Sequence, residues 1–298
     1  MSRRFEEIET RVTEVEKIQR LDEVRQRRIL EAEAKIFADE EAGGLGPYAA
    51  LLERMKIPAA ELEKFFSEQE HAARRRVELA TPQLHLSKEE LEVIQRRERA
   101  ILQIDPCAWI HSSPGWICRF HALNCNWWHT ETANALSTCT FNLANNEANP
   151  RVEAYGQGTL GWRSSYAEVW FDFDVPARPA AATVLVKTYV ELHGFYIVRP
   201  MTGSASFTVD LEVAGYQYGY SWGSITSHVL SLNTGTMGRH DQAHFLDFNM
   251  PVGADPFTVR VKLKLRATAK RAGAFAVGDF GTGAGNYIRV GWVNTYSP

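Results

Sequence analysis

Side chains that bind metals or move protons carry chemistry only at particular spacings, and three segments of this chain place them close together. The densest is Cys118-Arg-Phe-His121-Ala-Leu-Asn-Cys125-Asn-Trp-Trp-His129, which offers four metal-ligating side chains, with Cys107, His111 and Cys139 nearby. In a helix all four would share a face, yet the end ligands would lie roughly 16 Å apart, far beyond bonds of about 2.0 to 2.3 Å to a single ion. In a strand Cys118 and His121 would point to opposite faces, so only a loop could gather them. Structural cysteines are the better reading, with Cys118, His121, Cys125 and His129 kept as weak metal candidates.

His240-Asp-Gln-Ala-His244 has the outline of the zinc-hydrolase pattern His-Glu-x-x-His, with aspartate in place of the glutamate base. That chemistry needs both imidazoles one helical turn apart. Here Gly235 and Gly238 come just before, and Phe245-Leu-Asp-Phe248 follows with strand character, so a polar inter-strand loop is expected. Gly278-Asp-Phe-Gly-Thr-Gly-Ala-Gly285 resembles a phosphate loop only in its glycines. A phosphate loop must open a helix whose amides hold the anion, whereas this one opens a strand, and a flexible hairpin loop is expected. Neither a catalytic residue nor a cofactor is assigned.

Tyr216-Gln-Tyr218-Gly-Tyr220-Ser-Trp222 sets four aromatic residues at alternate positions, which on one strand would line one face for roughly 20 Å. The row is either core or an exposed platform. As a platform it suits a protein interface or the flat faces of sugar rings. A second row, Arg260, Lys262, Lys264 and Arg266, is expected to be a solvated or edge-protecting face.

These segments sit in a chain of two unlike parts. Residues 1–105 hold 42 charged side chains and residues 106–298 hold 27, while all eight tryptophans lie in the second part. The charge break near Pro106 divides a helical segment, 1–105, from an aromatic-rich domain, 106–298. Phe5, Ile8, Val12 and Val15 follow a coiled-coil seam for two heptads and are the candidate helical association surface. Glycines 43, 44 and 46 with Pro47 close that first helix. A second helix runs from Pro58 toward Thr81-Pro82, and Ser87-Lys-Glu-Glu90 has the form of a capping box opening a third. The basic clusters 25–28, 74–76 and 96–97 are flanked by glutamates at pairing distance and read as solvated helix faces.

In the second part the apolar rhythm changes to period two, most plainly in Phe257-Thr-Val-Arg-Val-Lys-Leu-Lys-Leu-Arg266. Similar runs at 167–175, 183–190, 207–213 and 287–293 are joined without helical patterns. They predict one antiparallel, jelly-roll-like β-sandwich of roughly eight to ten strands. The expected fold is α + β in separate domains, about three amphipathic helices followed by an all-β sandwich.

A net charge of −3 removes the broad positive field that nucleic-acid binders use. No apolar run is long enough to span a bilayer, and the first residues do not form a signal peptide, so synthesis in a cytoplasm is expected. The functional expectation is a non-enzymatic structural, assembly or attachment protein, a homo-oligomer or part of a larger assembly, with the sandwich as its contact or recognition head. This layout is shared with fibre, tail and shell components. The alternative is a carbohydrate-binding module using Tyr216, Tyr218, Tyr220 and Trp222, and a further one is a metal-dependent hydrolase.

Overall fold

A computed structural model describes residues 55–103, 116–119, 122–133, 135–158, 161–201 and 203–297. Most of them are β-sheet, and every strand pair among them is antiparallel. Two sheets face one another as a β-sandwich.

The helical part comes first. Helix α1 (Ala59–Ala80) starts after Pro58, whose ring suits a helix start, and gives way to a 3-10 turn, Thr81–Leu84, carrying Pro82. Helix α2 (Lys88–Gln103) opens on the expected capping box: the Ser87 hydroxyl accepts from the Glu90 amide at 3.2 Å, and the Glu90 carboxylate accepts from the Ser87 amide at 2.9 Å. Two helices are thus present among the described residues rather than about three. The first expected helix, with Phe5, Ile8, Val12 and Val15, lies outside them.

The strands are β1 (Trp116–Arg119), β2 (Asn124–Glu131), β3 (Ala135–Thr138), β4 (Phe141–Asn142), β5 (Glu147–Ala148), β6 (Arg151–Tyr155) and β7 (Trp162–Val175). They continue with β8 (Ala182–Arg199), β9 (Ser204–Gln217), β10 (Tyr220–Leu232), β11 (Thr236–Val252), β12 (Phe257–Lys270), β13 (Phe275–Asp279) and β14 (Tyr287–Tyr296). The count among the described residues exceeds the expected eight to ten because β1 and β3 to β6 are pieces of two to five residues, too short for alternation to reveal them. One sheet runs β10-β9-β12-β7-β2; the larger one runs β3-β6-β13-β8-β14-β5-β4, with β1 on β14 and β11 on β8.

Period two explains the core. Phe257, Val259, Val261, Leu263 and Leu265 of β12 turn inward with Phe171 and Phe173 of β7 and Phe207, Val209 and Leu211 of β9, against Val184, Val186, Val190 and Leu192 of β8. The outward row of β12 differs from its expected role. β12 lies between β7 and β9, so Arg260, Lys262 and Lys264 protect no edge and are neutralised across the strands. Arg260 is bidentate to Asp172 at 2.7 and 3.1 Å, Lys262 meets Glu168 at 3.0 Å, and Lys264 meets Glu212 at 2.6 Å.

β8 organises the larger sheet. β11 pairs along one edge of it, while β13 and β14 share the other edge end to end, both antiparallel to β8. The Gly-rich segment between β13 and β14 is therefore an excursion between collinear strands, not the expected hairpin loop. The Asp279 carboxylate fixes it by accepting from the amides of Gly281 at 2.8 Å and Thr282 at 2.6 Å.

That excursion and the neighbouring outer face of the sheet receive the helices. Ala73, Val77 and Leu84 pack on Tyr155, Phe195, Ile197, Phe275 and Val277 as a second, smaller core. Gly285, with φ of +82°, lies where a Cβ would sit 2.7 Å from Leu86 and Leu91. Phe65, earlier on α1, is 52% exposed and shares in none of this.

Replacing Phe207, fully buried between the sheets, with alanine is expected to cost about 3 to 5 kcal/mol in urea unfolding, by lost transfer energy plus a cavity. Phe65→Ala should stay within about 0.5 kcal/mol of the parent protein. Equal losses for the two would overturn this assignment of the core.

Candidate functional site

The aromatic segment is positioned by a turn rather than by a strand. Tyr218 and Gly219 have φ of +56° and +77°, positive at both central residues of a two-residue hairpin loop between β9 and β10. The chain reverses there, so Tyr216, Tyr218, Tyr220 and Trp222 do not form the expected single row. Tyr216 stays on β9, half-buried, with the Arg260 guanidinium 5.6 Å from its ring centre and Trp170 5.4 Å from the same guanidinium. The other three are exposed at the tip: Tyr218 at 48%, Tyr220 at 71% and Trp222 at 46%.

The tip is tied down by a small polar network. The Tyr218 hydroxyl donates to the Asp255 carboxylate at 2.7 Å, and the Trp222 indole donates to the Gln217 carbonyl at 2.8 Å. The buried Gln217 side chain donates to the Asp255 carbonyl at 2.7 Å and accepts from the Gly253 amide at 2.6 Å. One amide side chain thereby joins the hairpin to the β11–β12 loop, which limits the freedom of the rings. The sequence showed four aromatics; Gln217 and Asp255 had no signal, because their role comes from a contact across about forty residues.

A second aromatic group lies on the outer face of the larger sheet and was not foreseen. Tyr189, Phe245 and Trp292 come from β8, β11 and β14, with ring centres 5.0, 5.8 and 6.3 Å apart. Phe245 is 64% exposed, while Tyr189 is buried beneath and hydrogen-bonded to Glu191. Further along this face Arg289 joins Glu191 and Glu147, and His193 meets Asp241 at 3.3 Å. The Asp241 carboxylate is held below its usual range: His193 and Arg239 hydrogen bonds outweigh burial, the largest single influence, which raises it. Arg239 also reaches the Leu84 carbonyl at 2.7 Å and Asn286 at 2.9 Å, connecting β11 to the helical segment and to the excursion.

His240 and His244 lie within β11, not in a loop as expected. β11 is an edge strand, and within it His240 is buried and His244 partly buried. The two Nε2 atoms are 3.0 Å apart and the ring centres 5.3 Å apart, a difference taken up by the two ring radii. The nitrogens therefore face each other head-on and share one proton, with no lone pairs converging on a third point. This geometry opposes the metal-hydrolase alternative. Burial, then the neighbouring His244, pushes the His240 pKa down to about 4, and burial lowers His244 as well.

The Cys118–His129 cluster is divided between the sheets. Cys118 lies on β1, paired to β14, whereas Cys125 and His129 lie on β2, paired to β7. Four residues of strand separate Cys125 from His129 by about 13 Å, and the His129 ring stacks on Trp127 at 4.3 Å. His121 falls outside the described residues. Cys125 and Cys139 are free thiols, and burial pushes the Cys139 pKa up to about 12, which keeps it an unreactive thiol at neutral pH. Among the described residues no group of three or more His, Cys, Asp or Glu side chains converges to hold a metal ion. No described helix is long and apolar enough to cross a membrane.

No family model matches the chain, and no curated protein does. Among solved structures, the enzymatically active domain of a bacteriophage CBA120 tailspike protein is 12% identical with a TM-score of 0.26, over 56% of this chain and 19% of that one. The chain thus spans about a fifth of the tailspike's length. The module TmCBM61 in complex with beta-1,4-galactotriose is 11% identical with a TM-score of 0.22, over 58% of this chain and 88% of that one. A family 35 carbohydrate binding module from Clostridium thermocellum is 11% identical with a TM-score of 0.21, over 61% and 98%. At such TM-scores the likenesses carry no inference about what this chain does.

Two predictions follow from the buried charges and the shared proton. Asp172→Ala, which strands the buried Arg260 guanidinium, should cost about 3 to 5 kcal/mol, and adding Arg260→Leu should recover most of it in a double-mutant cycle. His240 binds its proton less readily folded than unfolded, so its contribution is complete above its ordinary pKa of 6.5 and lost as pH falls toward 4. Its share of that acid loss is about 3 kcal/mol at 1.36 kcal/mol per unit. His240→Gln should flatten the stability curve across this window, and an unchanged slope would contradict the burial that lowers the His240 pKa.

Proposed function

We propose that this chain is a non-enzymatic attachment module whose sandwich recognises glycans through the hairpin tip. The observation that carries the reading is the exposure of Tyr218, Tyr220 and Trp222 on a tip tied to the β11–β12 loop by Gln217, with Tyr218 held by Asp255 and Trp222 by the Gln217 carbonyl. Exposed rings offer flat apolar faces to the C–H faces of sugars, and the Asp255 carboxylate beside them can accept from hydroxyl groups. Because the tip is locked before binding, little ordering entropy is lost on contact. Tyr216 belongs to the Arg260 stack instead.

Assembly through protein contacts is a second reading, favoured by a different observation. Phe245 is exposed beside Trp292 over the buried Tyr189, on the outer face of the sheet. Aromatic clusters of this kind anchor protein interfaces.

The readings separate in one set of measurements on the full chain. A glycan array followed by titration calorimetry should identify an oligosaccharide whose affinity falls at least about tenfold in Tyr220→Ala and in Trp222→Ala, a loss of about 1.4 kcal/mol each. The melting temperature should not change in Tyr220→Ala, whose side chain is 71% exposed, whereas Trp222→Ala also removes the hydrogen bond to the Gln217 carbonyl and should lower it slightly. Binding that persists when both are replaced would overturn the platform. A mass in light scattering that drops on Phe245→Ser, with no glycan bound, would favour assembly.

A further inference from the structure

Where α1 crosses β6 of the larger sheet, helix and strand line an open cavity of about 360 Å³. The helix side supplies Arg74, Val77, Glu78 and Thr81, and β6 supplies Arg151 and Glu153. It lies apart from the hairpin tip and shares no residue with it.

The cations in this lining are already committed. Arg74 gives Nε and Nη2 to Glu70 at 3.3 and 3.1 Å and lays its guanidinium 4.2 Å over the Tyr155 ring. Arg151 is held by Glu153, by Asp279 at 3.1 Å and by the Thr282 hydroxyl at 3.0 Å. Glu153 also accepts from the Tyr155 hydroxyl at 2.9 Å. Glu78, on the exposed side of the helix, has no ion-pair partner among the described residues. An incoming phosphate or carboxylate would meet Glu78 and Glu153 with no uncommitted cation to offset them. An amine would meet the Arg74 and Arg151 guanidinium groups. A neutral polyol fits both constraints, since each hydroxyl can donate to Glu78 and accept from the remaining Arg74 N–H groups. The volume is near the small end of ligand pockets, which run from about 300 to 1,000 Å³, and suits a single sugar ring rather than an extended chain.

We propose that this cavity is a second ligand site, for a neutral polyhydroxylated molecule of about one sugar ring, and that its occupant clamps α1 to the sheet. The apolar contact holding α1 there is small, Ala73 and Val77 with Leu84 of the following turn, so contacts to both sides of the cavity add directly to docking. A ligand that binds only the docked state stabilises it by mass action.

The test uses the full chain with D-glucose, D-galactose, D-mannose and inorganic phosphate as probes, read by titration calorimetry and by amide hydrogen exchange over residues 73–80. At least one of the sugars should bind and slow exchange there about tenfold at ten times its dissociation constant. Glu78→Ala, a change at an exposed position, should weaken that sugar about fivefold, the worth of one hydrogen bond. The protein carrying both Tyr220→Ala and Trp222→Ala should keep the monosaccharide protection of α1 while losing oligosaccharide binding, so either site can fail alone. The proposal is overturned if none of the sugars slows exchange over α1, if only phosphate does, if Glu78→Ala leaves affinity unchanged, or if the hairpin double variant abolishes the protection.

Discussion

The shared interior of the two sheets is the constraint on which the rest of this protein depends. Each long strand must send every second side chain into one apolar layer, so Val259, Val261 and Leu263 alternate with Arg260, Lys262 and Lys264 without exception. Once the inward row is set, the outward row is forced onto the opposite face, where five strands lie side by side. Charges there have cross-strand neighbours at fixed distances, and Asp172, Glu168 and Glu212 occupy them. A basic row that would repel itself on an edge becomes an ordered ladder in the middle of a sheet.

β8 carries the same logic into the larger sheet. Its length lets β11 occupy one edge while β13 and β14 share the other, and the chain leaves the sheet only for the excursion between them. That interruption, together with Phe195, Ile197 and Tyr155 on the outer face, is where the helical segment lands. The surfaces suited to binding are found at such interruptions: the two-residue hairpin tip, and the cavity where α1 crosses β6. Regular strand interiors satisfy their own backbone groups and leave little to offer a ligand.

Elsewhere the polar groups are largely engaged with one another: His240 and His244 meet at their Nε2 atoms, Cys125 and Cys139 are free thiols, and Asp172 and Glu168 are paired with Arg260 and Lys262. Aromatic surface is held by hydrogen bonds at the tip through Gln217 and on the sheet through Tyr189.

Local sequence determined a good deal by itself. The capping box at Ser87 and Glu90, the break at Thr81-Pro82 and the inward rows of β7, β8, β9 and β12 are legible because each depends on neighbours within a few residues. The tertiary structure decided everything that pairs distant residues. It placed a reversal inside Tyr216–Trp222, turned His240–His244 into part of a strand, made the Gly-rich segment an excursion along one edge of β8, and put the basic row in the centre of a sheet. Period two states which side chains share a face, but strand order and edge position come from contacts across tens of residues, and no local spacing encodes them.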